Sequence, residues 1–267
     1  MNANSKNAKP DCVSGYAPVN GLRMYYEVHG DGFPLVLIHG GGSNIDTTFG
    51  RVLKLFAQTR KVIAVDLQSH GRTAHIERRQ TFKNDADDVA ALLQHLKCTK
   101  ADVLGFSNGA NTTLQIALRH PKLVRKMVIC SAFYKRDGMN SWFWDFISNA
   151  SLYNMPQQLK DEYLKVAPNP IDLSKMFDND QNRMLAFVDW GEDLFKSIKA
   201  PTLVIAGDND VMKPEHTVKI WRLIPKARLA ILPGVHGAYI GEVTTGMENS
   251  QLPVCTTAII NEFLDAP

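Results

Sequence analysis

Val103-Leu104-Gly105-Phe106-Ser107-Asn108-Gly109 is the stretch on which the fold turns. It sets a G-x-S-x-G pattern directly after a buried apolar run and directly before a segment of helical periodicity, Thr112 to Arg119. A serine held at so sharp a strand-to-helix turn is driven to positive φ, and its neighbours two positions away on either side must be small to avoid clashes. Gly105 and Gly109 meet that need. The turn lifts the hydroxyl above the carboxyl edge of a sheet, where ligands bind in open α/β folds. It also sets the hydroxyl at a helix N-terminus, whose free amides favour developing negative charge. A bare G-x-S-x-G arises by chance; the strand-then-helix setting is what makes Ser107 the candidate nucleophile.

Outward from this turn, short runs rich in Val, Ile and Leu recur at Leu35 to Ile38, Val62 to Val65, Met127 to Cys130, Leu203 to Ala206 and Leu229 to Leu232. Strands covered on both faces of a parallel sheet read this way. Thr47 to Ala57, Asp85 to Leu96 and His216 to Leu223 carry helical spacing between them, so the alternation implies a doubly wound α/β sheet. Leu22 to Val28 alternates and reads as an antiparallel edge strand, and Thr257 to Leu264 as a closing helix. The alternation breaks once, over 133–199, where aromatic, Met and acidic residues crowd into short helical stretches. The expected organisation is a disordered leader over 1–15, a core over 16–132 and 200–267, and a helical cap over 133–199.

A chain of 267 residues, 45% hydrophobic, can bury a full core. Its net charge of +3 is too small for an electrostatic footprint on nucleic acid or anionic membrane, so neither is expected as a partner. Cys12, Cys98, Cys130 and Cys255 are scattered without CxxC spacing or His partners, which indicates no zinc site and no disulfide framework. With no signal-peptide core and no membrane-length apolar stretch, the expectation is a soluble cytoplasmic protein, monomer or homodimer. No phosphate loop or ligand spacing implies a metal or an organic cofactor.

A serine hydroxyl needs a base within hydrogen-bond reach. His236 follows the last expected strand in the turn-rich Pro233-Gly234-Val235-His236-Gly237 and falls at the same sheet edge, whereas His95 and His120 lie in or at the end of helices. A carboxylate must orient that imidazole. Asp208 and Asp210 both follow the strand ending at Ala206, and either can instead shape the turn through side-chain to backbone bonds. The tetrahedral oxyanion of acyl transfer needs preorganised amides. His39-Gly40-Gly41-Gly42 follows the strand ending at Ile38, so the amides of Gly41 and Asn108 are the expected donors, with Gly42 as substitute for the first and His39 as a structural residue.

From Gly21 to Leu264 the chain resembles the α/β-hydrolase superfamily. The resemblance rests on the HGGG, the G-x-S-x-G, the G-x-x-D-x-x-x-P run from Gly207 to Pro214, and the late histidine. It implies a mostly parallel eight-stranded sheet with a small helical cap, a catalytic Ser107-His236-Asp210 triad, and Asp210 rather than Asp208 as the acid. Asp66 to Thr73 resembles the family's D-x-x-G-x-G-x-S loop, with Ser69 and Thr73 in place of Gly and Ser. The run from Gly237 to Pro253 is longer than is usual in the family and is placed to line the site entrance. A serine nucleophile argues against dehalogenases and epoxide hydrolases, and leaves esterases, lactonases, carbon-carbon bond hydrolases and perhydrolases.

Large apolar side chains crowd the expected cap, among them Phe143, Tyr153, Met155 and Trp190. Phe133, Trp142, Trp144 and Phe146 are the pocket candidates, although such side chains equally serve to dock cap helices on the sheet. No Arg or Lys stands out as a clamp for a charged group. The expected substrate is a small, uncharged carboxylic ester, and a receptor that has lost turnover is the reading from another class.

Overall fold

In the computed structural model, which describes residues 12–267, the apolar runs become the strands of one eight-stranded sheet. The strands are β1 (Cys12–Val19), β2 (Leu22–His29), β3 (Phe33–Ile38), β4 (Arg60–Val65), β5 (Ala101–Phe106), β6 (Val124–Cys130), β7 (Thr202–Asn209) and β8 (Ala227–Val235). Their order is β1-β2-β4-β3-β5-β6-β7-β8. β1 and β2 form an antiparallel hairpin, β2 joins β4 antiparallel, and the remaining pairs are parallel. This corrects two expectations. Residues 12–15, read as part of the leader, open β1, which displaces β2 from the edge; residues 1–11 of that leader lie outside the described residues.

Helices α1 (Ile45–Phe49), α2 (Leu53–Phe56), α3 (Phe82–His95), α4 (Asn108–Arg119), α5 (Ser141–Ser148), α6 (Gln157–Val166), α7 (Leu173–Leu185), α8 (Glu192–Lys196), α9 (Pro214–Leu223) and α10 (Leu252–Asp265) cover the sheet and fill the break in the alternation. Side chains of a strand alternate between faces. Val36, Ile38, Val103, Ile129 and Val204 pack with α3, α4 and α9 on one face, and Leu35, Leu37, Leu104, Val128 and Ile205 with α1, α2 and α10 on the other. Each such side chain, fully withdrawn from water, contributes about 1.5–3 kcal/mol. The segment expected as one helix from Thr47 to Ala57 is two. The break falls at Gly50, which costs about 1 kcal/mol in a helix interior, and at Arg51, whose guanidinium reaches the carbonyls of Met247 and Ser250.

The strand order reverses beside β3: the chain passes from β3 to β4 on one side and then to β5 on the other. Ile38 pairs with Gly105, so the loops leaving β3 and β5 emerge together at this switch point, the crevice in which open α/β sheets bind ligands. Between β6 and β7, helices α5 to α8 lie over that edge. α6 and α7 share a small core of their own, Leu159, Tyr163, Leu173 and Met176, with Met155. Among the described residues no helix is long and apolar enough to cross a membrane.

Candidate active site

Ser107 sits between β5 and α4 with φ 54° and ψ −119°, outside the regions that L residues ordinarily occupy. Its strain, of order 1–3 kcal/mol, is held by the two glycines flanking it. A Cβ on Gly105 would stand 2.1 Å from the carbonyl oxygen of Gly109, and one on Gly109 would stand 2.1 Å from that of Ile38. The Ser107 amide donates to the Cys130 carbonyl at 2.8 Å, pinning the turn to the end of β6.

The loop after β7 separates the two aspartates. Asp208 is exposed and accepts one bond, from the Gly234 amide, so it shapes the turn. Asp210 is 3% exposed, and its Oδ1 accepts from His236 Nδ1 at 2.6 Å and from the Val211 amide at 2.7 Å. Its Oδ2 accepts from the Ser131 hydroxyl at 2.5 Å and the Gly207 amide at 3.1 Å. Because the single Ser131 proton goes to Asp210, the Tyr239 hydroxyl donates to Ser131 Oγ, also at 2.5 Å. Burial pushes the Asp210 carboxyl up, but the His236 imidazole and these donors outweigh it and hold the group below the usual carboxylate range. Burial pushes His236 down, and the Asp210 charge more than reverses that, so the imidazole titrates above its ordinary 6.5. Both directions describe one ion pair.

His236 packs on Phe106, the residue before Ser107, with ring centroids 4.6 Å apart. The structure therefore brings Ser107, His236 and Asp210 to one edge of the sheet. It records no hydrogen bond between Ser107 Oγ and His236 Nε2; such contacts are often long in unliganded sites and tighten with substrate.

Gly41 and Asn108 meet: a Cβ on Gly41 would lie 2.4 Å from Asn108 Nδ2. Both line the same cavity as Ser107. Asn108 opens α4, so its amide has no carbonyl one turn earlier to receive it. The Gly42 amide is not a spare donor. It donates to Asp180 Oδ2 at 2.5 Å, and Asp180 belongs to α7. His39 has both ring nitrogens committed, Nδ1 to the Gly40 carbonyl and Nε2 to the Leu67 amide, and burial takes it down to about 3, so it supports the loop as a neutral residue.

Asp180 was not legible in the sequence. Its Oδ2 also meets His70 Nε2 at 2.9 Å, and its Oδ1 accepts from Arg183, which reaches on to Asp85 of α3 at 2.7 Å. His70 Nδ1 faces the Gln68 carbonyl, which can only accept, so the imidazole between two acceptors carries both protons. Burial opposes that charge, and Asp180 overcomes it and raises His70. Only the apposition of α7 to the 66–73 loop creates this network. In that loop Ser69 stands at φ 67°, and the Thr73 hydroxyl donates to the Asp66 carbonyl.

The cavity, about 220 Å³, is walled by Phe143, Phe146, Ile147, Met155, Leu159 and Met176, with Asp180 and Gln181 among the polar lining. Of the four pocket candidates only Phe146 lies there. α5 explains two of the misses: Phe143, Phe146 and Ile147 share a face at helical spacing, while Trp142 lies off that face with its ring edge-on to Phe143 and Phe146. Trp144 donates to the Arg136 carbonyl under the Arg136 guanidinium. Phe133 is spent on packing against Phe82 and Phe187. The 237–253 run contributes none of the lining residues; its Tyr239 instead supports the acid through Ser131.

Comparison with known proteins gives this arrangement a context. The sequence profile of the α/β hydrolase fold matches residues 34–174. A putative esterase/lipase of Haemophilus influenzae is 27% identical over 226 residues, 75% of each chain. The human serine hydrolase BPHL is 26% identical over 243 residues, 85% of this chain and 81% of its own. Among solved structures, a serine hydrolase involved in carbazole degradation, the CarC enzyme, superposes with a TM-score of 0.77 over 95% of this chain and 98% of its own at 20% identity, a likeness of fold.

Proposed function

Because this chain belongs to the α/β-hydrolase fold family and is similar to a serine hydrolase, we propose that it is a serine hydrolase cleaving a small, largely apolar carboxylic ester. The observation that carries the reading is the Asp210–His236 ion pair, packed against the residue next to a strained serine that lines an apolar cavity. In this reading the Ser107 side chain rotates to His236 Nε2 and gives up its proton as Oγ attacks the ester carbonyl. The amides of Gly41 and Asn108 receive the oxyanion. The imidazolium, stabilised by Asp210, then protonates the leaving alcohol, and water repeats the sequence on the acyl-Ser107 intermediate. The cavity lies below the roughly 300–1,000 Å³ of drug-sized sites, which supports a short acyl group. Turnover of short-chain p-nitrophenyl esters by pure protein tests this, and its absence would overturn it. Faster cleavage of a lactone or a dienone than of any ester would move the substrate class and leave the serine chemistry standing.

Two further outcomes follow in this reading. General-base catalysis needs neutral His236, so kcat/KM should rise with pH through an apparent pKa above 6.5; a midpoint below 6.5 would contradict the ion pair's influence. Asp180→Asn removes the charge that faces the Gly42 amide, His70 and Arg183. Breaking a buried pair costs about 3–5 kcal/mol, so urea unfolding at pH 6 should show a loss of that order. His70 has a raised pKa, so its share is complete below 6.5 and is lost as pH rises through the raised value. The gap between wild type and variant should therefore narrow in alkaline solution.

A further inference from the structure

The outer hairpin gathers three donors that sequence spacing keeps apart. Glu27 and His29 are two residues apart in β2 and share a face of the sheet, and Cys12 of β1 is the cross-strand partner of His29. All three side chains therefore meet. Cys12 Sγ lies 3.5 Å from His29 Nε2, Glu27 Oε2 lies 2.8 Å from the same nitrogen, and the three donor atoms fall within 4.8 Å of one another.

We propose that Cys12 Sγ, Glu27 Oε2 and His29 Nε2 form a three-ligand site for zinc or a comparable borderline-soft divalent ion. A tetrahedral centre with bonds of about 2.3 Å to sulfur and 2.0 Å to nitrogen holds such ligands roughly 3.3–3.6 Å apart, and the observed spacing needs only small side-chain adjustment. The Tyr25 hydroxyl donates to Glu27 Oε1 at 2.9 Å, which turns Oε2 toward His29, the outer-sphere support that metal-binding carboxylates use. Thiolate and imidazole select zinc over magnesium or calcium. Cys12 is exposed, which provides an entry path and leaves the fourth position to water. Binding as the thiolate releases the Cys12 thiol proton to solvent, and the proton that His29 Nε2 donates to Glu27 Oε2 exchanges through solvent to Nδ1, which frees Nε2 for the metal. A metal here ties β1 to β2 and stabilises the sheet edge. It does not touch the hydrolytic site, because β4 and β3 separate β2 from β5.

Cobalt(II) titration of metal-free full-length protein tests the site, because a thiolate ligand adds a charge-transfer band to the tetrahedral cobalt spectrum. The expected result is one equivalent bound with that band, displaced by zinc, abolished in Cys12→Ser and retained in Cys255→Ser, the other exposed cysteine. Zinc should raise the Tm of wild type and leave that of Cys12→Ser unmoved. Tyr25→Phe should weaken cobalt binding by about tenfold, and ester turnover by Cys12→Ser should match wild type. Absence of the thiolate band, or its survival in Cys12→Ser, would overturn the proposal.

Discussion

Ser107→Ala is expected to lower kcat toward a short-chain ester by about a million-fold, close to 8 kcal/mol of transition-state stabilisation. The size follows from chemistry that has no substitute in the site. Asp180 is a carboxylate already engaged by Gly42, His70 and Arg183 and is no replacement nucleophile. The amides of Gly41 and Asn108 and the apolar walls remain, so residual catalysis over water and a nearly unchanged KM are expected. The fold should survive, because the strain at φ 54° is held by the backbone around Gly105 and Gly109 and alanine meets it as serine does. Steady-state kinetics with a circular-dichroism control read both outcomes. A variant within tenfold of wild type would remove Ser107 from the reaction.

Asp210→Asn is expected to cost about ten-thousand-fold in kcat. Asparagine keeps the shape, but its amide presents a donor where the carboxylate accepted, and the His236 tautomer that offers Nε2 to the serine loses its anchor. With the Asp210 charge gone, burial is opposed only by the weaker pull of the Glu242 charge, so the imidazole drops and the residual activity should extend to lower pH than in wild type. Stability carries opposite signs for the two partners. The depressed Asp210 contributes fully above the ordinary carboxylate range and is lost as pH falls through its lower native value. The raised His236 contributes fully below 6.5 and is lost as pH rises through its higher one. The variant should therefore be most destabilised relative to wild type between about pH 4 and 6.5. Asp208→Asn, which touches only the Gly234 amide, should change kcat by less than about tenfold. Reversal of the two aspartate results would reassign the acid.

The residues alone leave Asp208 and Asp210 open, and only the family resemblance favours Asp210. The strand-serine-helix turn, the inner strands and the loop histidine are local statements, each written in a few contiguous residues. The alternation at Leu22 to Val28 likewise marks a strand, but Gly15 and Pro18 interrupt the apolar pattern before it, so the hairpin partner β1 is not legible and its first four residues fall in the expected leader. What local patterns cannot carry is apposition. Asp180 gains its role because α7 comes down on the glycine loop, Ser131 because β6 ends beside β7, and Cys12 because a hairpin register sets it opposite His29. Three of the four aromatic pocket candidates over 133–199 lie outside the cavity for a related reason. Composition names the candidates, but helix phase decides between them, turning Phe143 inward and Trp142 out.

Reaction of the pure protein with a fluorophosphonate, followed by mass mapping of the adduct, interrogates the nucleophile before any substrate is known. A single phosphonyl group on Ser107, formed far more slowly in His236→Ala, is the expected result. An unlabelled Ser107 in folded protein, or labelling that ignores the loss of His236, would contradict a base-activated serine at this turn.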